Sequence, residues 1–442
     1  MKEKIGVVSL GCDKNRVDTE VMLGYLKDGG YEITADPSDA DVIIINTCAF
    51  LESSRKESID TILEMADFKT QGKCQKVIVT GCLGQKFGSE VLDGMDEVDA
   101  VVGTDDYAEI CNIVAATLGG ERKKYQNCNT AITFGKRVLT TLPHVAYLKI
   151  ADGCNNFCTY CLIPYIRGRF RSVPMEKIVA EAKTLAEGGV KELILVAQDT
   201  TKYGDDLYGK PMIVELVKQL SAIEKISWIR LLYCYPELMS DELIEEIRTN
   251  EKVVNCVDIP LQHVNDGILK AMNRKSDGAS IRALFDKLSD ADIAVRSTFI
   301  CGFPGETKQT IEEMGEFLLK YKLRNVGFFA YSKEDGTVAA KMANQVKAST
   351  KKSYVAKMYK TQQKVVAELN KTDVGKTYKC IVDCLDNIDG DNYVYKARTY
   401  YMAPDIDGVV YVISLQKLNV GEFYNVKITN ALEYDLIGEV VE

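Results

Sequence analysis

Three cysteines in a C-x3-C-x2-C spacing, at Cys154, Cys158 and Cys161, directly follow an apolar stretch at residues 145–150. Thiolates this close together can face one metal centre, which constrains the whole loop that carries them. A closed structural zinc site needs four protein ligands, whereas a cubane iron–sulfur cluster held by three thiolates keeps one iron open. The spacing therefore predicts a reactive cluster at the carboxyl end of a strand.

The composition bounds the class of protein. The length of 442 residues suggests about three domains. No apolar run approaches the ~20 residues that a membrane span needs, and the short apolar run at residues 5–10 is predicted as a buried strand rather than a signal peptide. We therefore expect a cytoplasmic protein with no membrane contact. Fourteen cysteines beside only two histidines indicate metal binding by thiolates.

The first 120 residues alternate short apolar runs with helical patterns. Predicted strands lie at residues 4–10, 41–46, 76–80 and 100–102, and predicted helices at residues 17–27, 52–68 and 106–118. Continuous apolar strands joined by helical crossovers predict an α/β domain with a doubly wound parallel sheet. Residues 121–140 are polar and basic without periodicity, and we interpret them as a linker.

Longer βα repeats follow in residues 141–371. Predicted strands lie at residues 145–150, 192–197, 228–232, 257–261, 294–300 and 325–330, with helices after each, such as residues 175–187, 307–320 and 350–368. Six such units predict a partial (βα)6 barrel with its reactive groups at the carboxyl ends of the strands. The run of Cys154, Cys158 and Cys161 sits at such an end.

The last segment, residues 372–442, changes to short alternating strands with turns between them. Predicted strands lie at residues 379–383, 392–397, 408–413, 423–430 and 436–440. This pattern predicts a small C-terminal β-barrel. From Val374 onwards it holds six basic and eleven acidic residues, a net charge of −5 within a chain of net charge −9. An acidic module disfavours transfer RNA as a partner and suits a basic protein.

A second set of cysteines, Cys12, Cys48 and Cys82, shares one context, since each lies within two residues of the end of a predicted strand. Those ends meet at one edge of a parallel sheet, where ligands bind in open α/β folds. Gly11 and Gly81 precede two of these cysteines and allow tight turns. The pattern predicts a second cluster held by three thiolates. Three buried core cysteines, or a zinc site with an unidentified fourth ligand, are the alternatives.

The other cysteines show no grouping typical of ligands, and we interpret them as small apolar residues. These are Cys74, Cys111, Cys128, Cys234, Cys256, Cys301, Cys380 and Cys384.

The run that ends in Tyr160-Cys161 resembles the signature of radical S-adenosylmethionine enzymes. This resemblance implies that the open iron of a [4Fe-4S] cluster at Cys154, Cys158 and Cys161 binds S-adenosylmethionine, and that electron transfer then makes a 5′-deoxyadenosyl radical. The six βα units fit the partial barrel of that family.

The second cysteine set and the terminal barrel make the chain similar to one branch of that family, the methylthiotransferases, whose terminal barrel is called TRAM. The resemblance implies a second [4Fe-4S] cluster at Cys12, Cys48 and Cys82, and S-adenosylmethionine as both methyl donor and radical source. Because the sulfur-bearing cluster must lie close to the cofactor, the carboxyl edges of the two parallel sheets are expected to face each other.

Residues 9–18 resemble the type of methylthiotransferase that acts on ribosomal protein S-twelve, because the transfer-RNA type more often has Gln-Met-Asn after the first cysteine. The implied reaction adds a methylthio group to the β-carbon of an aspartate. The implied partners are basic protein S-twelve, free or in the small ribosomal subunit, and a reductant protein. Two alternatives stay open: methylthiolation of adenosine in transfer RNA, and a non-catalytic metal-cluster protein that binds ribosomes.

Some further residues are candidates for contacts with cofactor or substrate. Gln198 and Asp199 follow the second barrel strand, with a helix cap as the alternative role. Gly302 and Gly305, after the fifth strand, resemble a family turn near the adenosine of S-adenosylmethionine, and backbone shape alone could also require them. The set Arg167, Arg169 and Arg171 is interpreted as a solvated loop, with carboxylate binding as the alternative. His263 is assigned no catalytic role, and Trp228 is predicted in a core.

Overall fold

Three sheets organise the chain. The structure is a computed structural model that describes residues 2–126, 132 and 135–441. Two six-stranded sheets are wholly parallel, and five further strands close into a barrel. The predicted fold class, an α/β sheet followed by a partial barrel and a small β-barrel, is confirmed. No helix in the described ranges has the length and apolar character to cross a bilayer.

The first sheet has strand order β2-β1-β3-β4-β5-β6, and its central strands are buried on both faces because they are continuous apolar runs. Its strands are β1 Lys4–Ser9, β2 Glu32–Thr34, β3 Val42–Thr47, β4 Lys76–Thr80, β5 Ala100–Val102 and β6 Lys123–Tyr125. Its helices are α1 Asp13–Asp28, α2 Glu52–Ala66, α3 Phe68–Gln71, α4 Gly81–Gly94 and α5 Ile110–Leu118.

Three elements of this sheet escaped sequence reasoning. The edge strands β2 and β6 have only three residues each and are half-exposed, so they lack an apolar run. Helix α4 carries four glycines, each of which lowers helix propensity by about 1 kcal/mol relative to alanine. Its amphipathic packing against the sheet overrides that cost.

The predicted linker is therefore partly wrong. Residues 123–125 form β6 within the first sheet, and the end of the segment is anchored by Arg137, whose guanidinium is buried between Glu20 and Glu181 at 2.5 Å from each. Residues 127–131 and 133–134 of the predicted linker, including Cys128, lie outside the described residues.

The second sheet, in strand order β14-β13-β12-β11-β10-β7, is an open parallel array with helices on its outer side. Its strands are β7 Val145–Lys149, β10 Glu192–Val196, β11 Trp228–Leu231, β12 Val253–Asp258, β13 Ala294–Cys301 and β14 Asn325–Ala330, with β8 Ala151–Asp152 and β9 Arg171–Ser172 forming a separate pair. Its helices are α6 Ile163–Ile166, α7 Met175–Glu187, α8 Asp205–Tyr208, α9 Ile213–Ser221, α10 Asp241–Thr249, α11 Asp266–Ala271, α12 Gly278–Asp290, α13 Lys308–Tyr321 and α14 Ala348–Asp373.

The fourth strand of this sheet, β12, lies earlier in the chain than predicted. The apolar residues 259–261 follow the strand instead of belonging to it, because Pro260 has no N–H to donate to a neighbouring strand. The strand occupies Val253–Asp258 instead of the predicted residues 257–261, but its place in the sheet is as predicted.

The terminal barrel has strand order β15-β16-β17-β19-β18 and packs directly on the second sheet. Trp228 of β11 is buried in this interface, with its ring centroid 4.9 Å from that of Phe423, so its predicted core position is confirmed. Arg398 of the barrel pairs with Glu192 of β10 at 2.7 Å. The strands are β15 Thr377–Asp389, β16 Asn392–Arg398, β17 Val410–Ser414, β18 Phe423–Ala431 and β19 Leu436–Val440.

Candidate functional site

The cysteines Cys12, Cys48 and Cys82, here called the first trio, lie at the carboxyl edge of the first sheet. Cys12 caps α1, Cys48 follows β3, and Cys82 is the second residue of α4, directly after β4. Strands β1, β3 and β4 are neighbours, so the three turns adjoin. A Cβ atom on Gly11 would lie 3.3 Å from the Cys48 sulfur, which confirms how closely the first two turns approach.

One buried amide ties these turns together. Asn15 donates through Nδ2 to the carbonyl oxygens of Leu10 and Thr47, both at 3.0 Å, and its Oδ1 accepts from the Cys82 thiol at 3.8 Å. The first trio is thus fixed by hydrogen bonds from α1 to all three strand ends. A preorganised set of ligands of this kind loses little entropy when it binds a metal centre.

The cysteines Cys154, Cys158 and Cys161, the second trio, lie on the loop between β8 and α6. Backbone N–H groups of Asn156 and Ile163 donate to the sulfurs of Cys154 and Cys161 at 3.5 and 3.4 Å. N–H donors to sulfur stabilise thiolates that ligate iron–sulfur clusters and tune the potential of the cluster.

Burial acts on the thiols of both trios. It raises the pKa of Cys82 and of Cys161 to about 12 each, and that of Cys154 to about 11. For Cys82 the Arg167 guanidinium opposes this rise, and charge on Cys12 or Cys48 adds to it. Thiols of this kind are protonated at neutral pH until a metal replaces the proton, as expected for buried ligands to a metal cluster.

The sulfur arrangement differs from that of a site for one ion. Within the described ranges, no three His, Cys, Asp or Glu side chains converge at the spacing that one metal ion requires. A cubane cluster binds each thiolate to a different iron, so its ligand sulfurs stand further apart. Soft thiolates with N–H donors around them fit such a cluster in chemistry.

A buried polar network links the surroundings of the two trios. Arg167, which follows α6, donates to Asn15 Oδ1 at 2.6 Å and to Asp18 Oδ2 at 2.9 Å, both on α1. Its other terminal nitrogen donates to Asp152 Oδ2 at 2.9 Å, and Asp152 Oδ1 accepts from the N–H of Gly153, the residue before Cys154. The network therefore connects the first trio to the loop of the second.

The interpretation of the arginine set as a solvated loop is wrong for Arg167. Its side chain is buried and pairs with the buried carboxylates of Asp18 and Asp152, each at 2.9 Å. Arg169 is exposed, with its guanidinium 4.8 Å from the Phe157 ring centroid, and Arg171 reaches Asp105 at 3.3 Å. The solvated-loop interpretation thus describes Arg169 alone.

Gln198 and Asp199 form hydrogen bonds with residues next to or within the loop of the second trio. Gln198 Nε2 donates to Asp152 Oδ1 at 3.0 Å, while its buried Oε1 has no hydrogen-bond partner in the described chain. Asp199 caps the turn Thr200–Lys202 and accepts from Asn156 Nδ2 at 3.0 Å. The predicted capping role describes Asp199, and contact of either side chain with S-adenosylmethionine stays a prediction.

Gly302 and Gly305 both adopt positive φ, at 82° and 87°. A Cβ on Gly302 would lie 2.3 Å from Lys351 Cγ, so backbone shape and space already explain that glycine. Their proximity to adenosine stays a prediction. His263 is fully buried and its Nδ1 accepts from the N–H groups of Val264 and Asn265, both at 2.9 Å, which agrees with a structural role.

Sequence reasoning missed Asn15, the depth of Arg167, and Tyr233, which follows β11 and donates to Asp13 Oδ2 at 3.0 Å. Each of these residues has at least one partner more than thirty positions away in the chain, and local patterns carry no signal for such contacts. A buried arginine between two acidic partners is recognisable only after the two sheets are assembled.

Gly81→Ala is expected to disrupt the first trio. Gly81 has a φ of +85°, and a Cβ there would lie 2.2 Å from Asn46 Oδ1 and 2.5 Å from the Thr47 carbonyl oxygen. The left-handed backbone costs an alanine about 1–2 kcal/mol, and the overlap adds about 1–3 kcal/mol. The free energy of unfolding, measured with denaturant, and the iron content after anaerobic reconstitution should both fall.

Gly30→Ala is the matched control for that variant. Its φ is +89°, but a Cβ there meets no atom within 4 Å. It should carry only the backbone cost and keep the full iron content. Equal losses of stability and iron in both variants would contradict the steric argument.

Models of three families match the chain in order. "Uncharacterized protein family UPF0004" matches residues 4–103, "Radical SAM superfamily" matches residues 148–318, and "TRAM domain" matches residues 374–441. The first match covers the sheet that carries the first trio, and the second covers the loop of the second trio.

Curated relatives match over the full length. A protein of Clostridium botulinum named "Ribosomal protein uS12 methylthiotransferase RimO" is 50% identical over 99% of this chain and 98% of its own length. One with the same name from Acetivibrio thermocellus is 48% identical over 100% of this chain and 99% of its own length.

Solved structures share the fold at low identity. The radical S-adenosylmethionine methyltransferase TsrM from Kitasatospora setae, solved with cobalamin and a [4Fe-4S] cluster, aligns with a TM-score of 0.53 and 13% identity over 75% of each chain. The cobalamin-dependent S-adenosylmethionine radical enzyme OxsB aligns with a TM-score of 0.51 and 11% identity over 83% of this chain and 56% of its own.

Proposed function

The chain belongs to the RimO family of radical S-adenosylmethionine methylthiotransferases, and from this premise we propose that it adds a methylthio group to the β-carbon of an aspartate in ribosomal protein S-twelve. Full-length identity near 50% to relatives of that name is the observation that carries the proposal. The buried network that links the surroundings of the two trios supports it, because sulfur transfer needs the sulfur carrier beside the radical source.

The proposed cofactors are two [4Fe-4S] clusters and S-adenosylmethionine. Cys12, Cys48 and Cys82 would hold one cluster, and Cys154, Cys158 and Cys161 the other, which would bind S-adenosylmethionine at its open iron. When bound, these groups supply electron transfer, a carbon-centred radical and methyl transfer to sulfur. The count of two clusters is supported by two separate sets of three thiols, each at the carboxyl edge of its own parallel sheet.

The protein's own groups set the environment for this chemistry. N–H donors from Asn156 and Ile163 stabilise negative charge on the sulfurs of the second trio. The Arg167 network holds the two edges at a fixed separation. Gln198 offers a buried amide oxygen beside this loop, which can accept a hydrogen bond from an ammonium or hydroxyl group.

The proposed partners are basic protein S-twelve, free or in the small ribosomal subunit, and a reductant protein, all in the cytoplasm. The acidic terminal barrel supports a basic partner over a polyanion. The same charge disfavours transfer RNA.

The test is direct. Anaerobically reconstituted protein with S-adenosylmethionine and a chemical reductant is incubated separately with S-twelve and with transfer RNA, and both are analysed by mass spectrometry. We expect S-twelve to gain one methylthio group and transfer RNA to remain unchanged. Methylthio-adenosine together with unmodified S-twelve would contradict the proposal and support the transfer-RNA alternative.

A further inference from the structure

A largely buried lysine lies beside the first trio, where the first sheet meets the carboxyl edge of the second. Lys14 is the second residue of α1, two positions after Cys12, and only 6% of its surface is exposed. Its Nζ lies 3.1 Å from the ring centroid of Tyr233, which follows β11 at the carboxyl edge of the second sheet. The ammonium therefore sits where the first domain meets the mouth of the central one.

This ammonium forms no ion pair within 4 Å among the described residues, and its Nζ lies over the face of the Tyr233 ring. The nearby carboxylates are engaged elsewhere. Asp13 accepts from the Tyr233 hydroxyl at 3.0 Å, and Asp18 is held by Lys149 and by Arg167.

The position of Lys14 favours an anionic ligand for two reasons. A cation in the first turn of a helix opposes the helix dipole. The face of the Tyr233 ring also attracts the ammonium less strongly than an opposite charge would. An anion arriving at Nζ would offset the first effect and supply the missing opposite charge.

Tyr233 is held firmly beneath the ammonium. Its φ is +61°, a left-handed conformation that is rare for a bulky residue, and two hydrogen bonds maintain it. Its N–H donates to Asp258 Oδ2 at 2.9 Å, and its carbonyl oxygen accepts from the N–H of Thr200 at 3.0 Å. Strained backbone held in this way is typical of functional sites.

We propose that Lys14 binds the carboxylate of the target side chain and so selects aspartate as the substrate residue, an inference that rests on the proposed function. The β-carbon of aspartate is bonded directly to its carboxyl carbon. Anchoring the carboxylate at Lys14 therefore places the carbon to be modified beside the gap between the trios. A compact ammonium with three donors suits one carboxylate that approaches from this gap.

The test measures coupling between Lys14 and the target residue. Reconstituted full-length protein and the variant Lys14→Met, which keeps chain length but removes the charge, are titrated with S-twelve and with S-twelve carrying asparagine at the target position. A charge-assisted contact is worth about tenfold or more in affinity. Wild type should bind the asparagine form about tenfold more weakly, and Lys14→Met should bind both forms equally, at the weakened level.

Two further readouts separate this role from others. Lys14→Met should keep its iron content, and its thermal unfolding midpoint should stay the same or rise, because a cation that opposes the helix dipole is removed. Lys27→Met, an exposed position in the last turn of the same helix, should keep wild-type discrimination.

Several outcomes would overturn the inference. Undiminished discrimination in Lys14→Met would show that the carboxylate is bound elsewhere. A lower unfolding midpoint would make Lys14 structural. If Lys14→Met lost iron and bound both substrates equally but still more weakly, the ammonium would instead serve the anionic sulfur of the first trio. Failure of wild type to bind S-twelve would overturn the proposed function as well, whereas normal modification by wild type with an unaffected Lys14→Met variant would overturn this inference alone.

Discussion

Replacing Cys158 by alanine is expected to abolish cleavage of S-adenosylmethionine, whereas replacing Cys48 should abolish only methylthio transfer. Cys158 is buried at the loop that faces the second sheet's edge, and three thiolates are the minimum that can hold a cubane with one open iron. Without that cluster no radical can form, so 5′-deoxyadenosine should fall below detection, a loss of at least about a thousandfold if the radical route is the only one.

Cys48→Ala should still produce 5′-deoxyadenosine, because the second trio is intact, but S-twelve should gain no methylthio group. Liquid chromatography of the nucleoside and mass spectrometry of S-twelve measure the two reactions in one sample. Cys384→Ala, at a half-buried position of the terminal barrel, serves as the control and should keep both activities. Loss of 5′-deoxyadenosine in both site variants to the same extent would contradict separate roles for the two trios.

Arg167→Leu is expected to destabilise the protein by about 3–5 kcal/mol, the usual cost of removing one partner of a buried ion pair. The substitution leaves the carboxylates of Asp18 and Asp152 without the guanidinium that lies 2.9 Å from each. It also removes the donor to Asn15 Oδ1, the amide that joins the strand ends of the first trio. Denaturant unfolding of the purified protein should show the loss.

Arg169→Ala is the matched control, because Arg169 lies two residues away and is exposed. Its cost should stay within about 0.5 kcal/mol, as for other surface changes. Arg167→Lys should fall between the two variants, since an ammonium restores the charge but cannot reach both carboxylates in the same planar geometry. A cost for Arg167→Leu no larger than that of Arg169→Ala would show that the network does not hold the edges together.

Much of the fold follows from local patterns in the chain. Strand β4 lies at residues 76–80 as predicted, because a short apolar run rich in β-branched residues is typical of a strand buried on both faces of a parallel sheet. Strand β6 could not be predicted, since its Lys-Lys-Tyr sequence pairs only because β5 offers an open edge. Tertiary context creates such strands.

The residues of the site likewise include some that local sequence patterns reveal and others that they do not. Cysteines are rare and chemically distinct, so their spacing and their place after strands were readable from the sequence. The residues that surround them were not. Asn15 and Lys14 acquire their roles from Cys82 and Tyr233, 67 and 219 positions away, and only assembly of the two sheets brings these pairs together.

The proposed reaction requires two separate clusters, one for each trio. Iron and sulfide are counted after anaerobic reconstitution in wild type, in the variant with Cys12, Cys48 and Cys82 changed to alanine, and in the variant with Cys154, Cys158 and Cys161 so changed. We expect about eight irons per chain in wild type and about four in each variant. An iron content of about four in wild type, or one unchanged by loss of the first trio, would contradict the account.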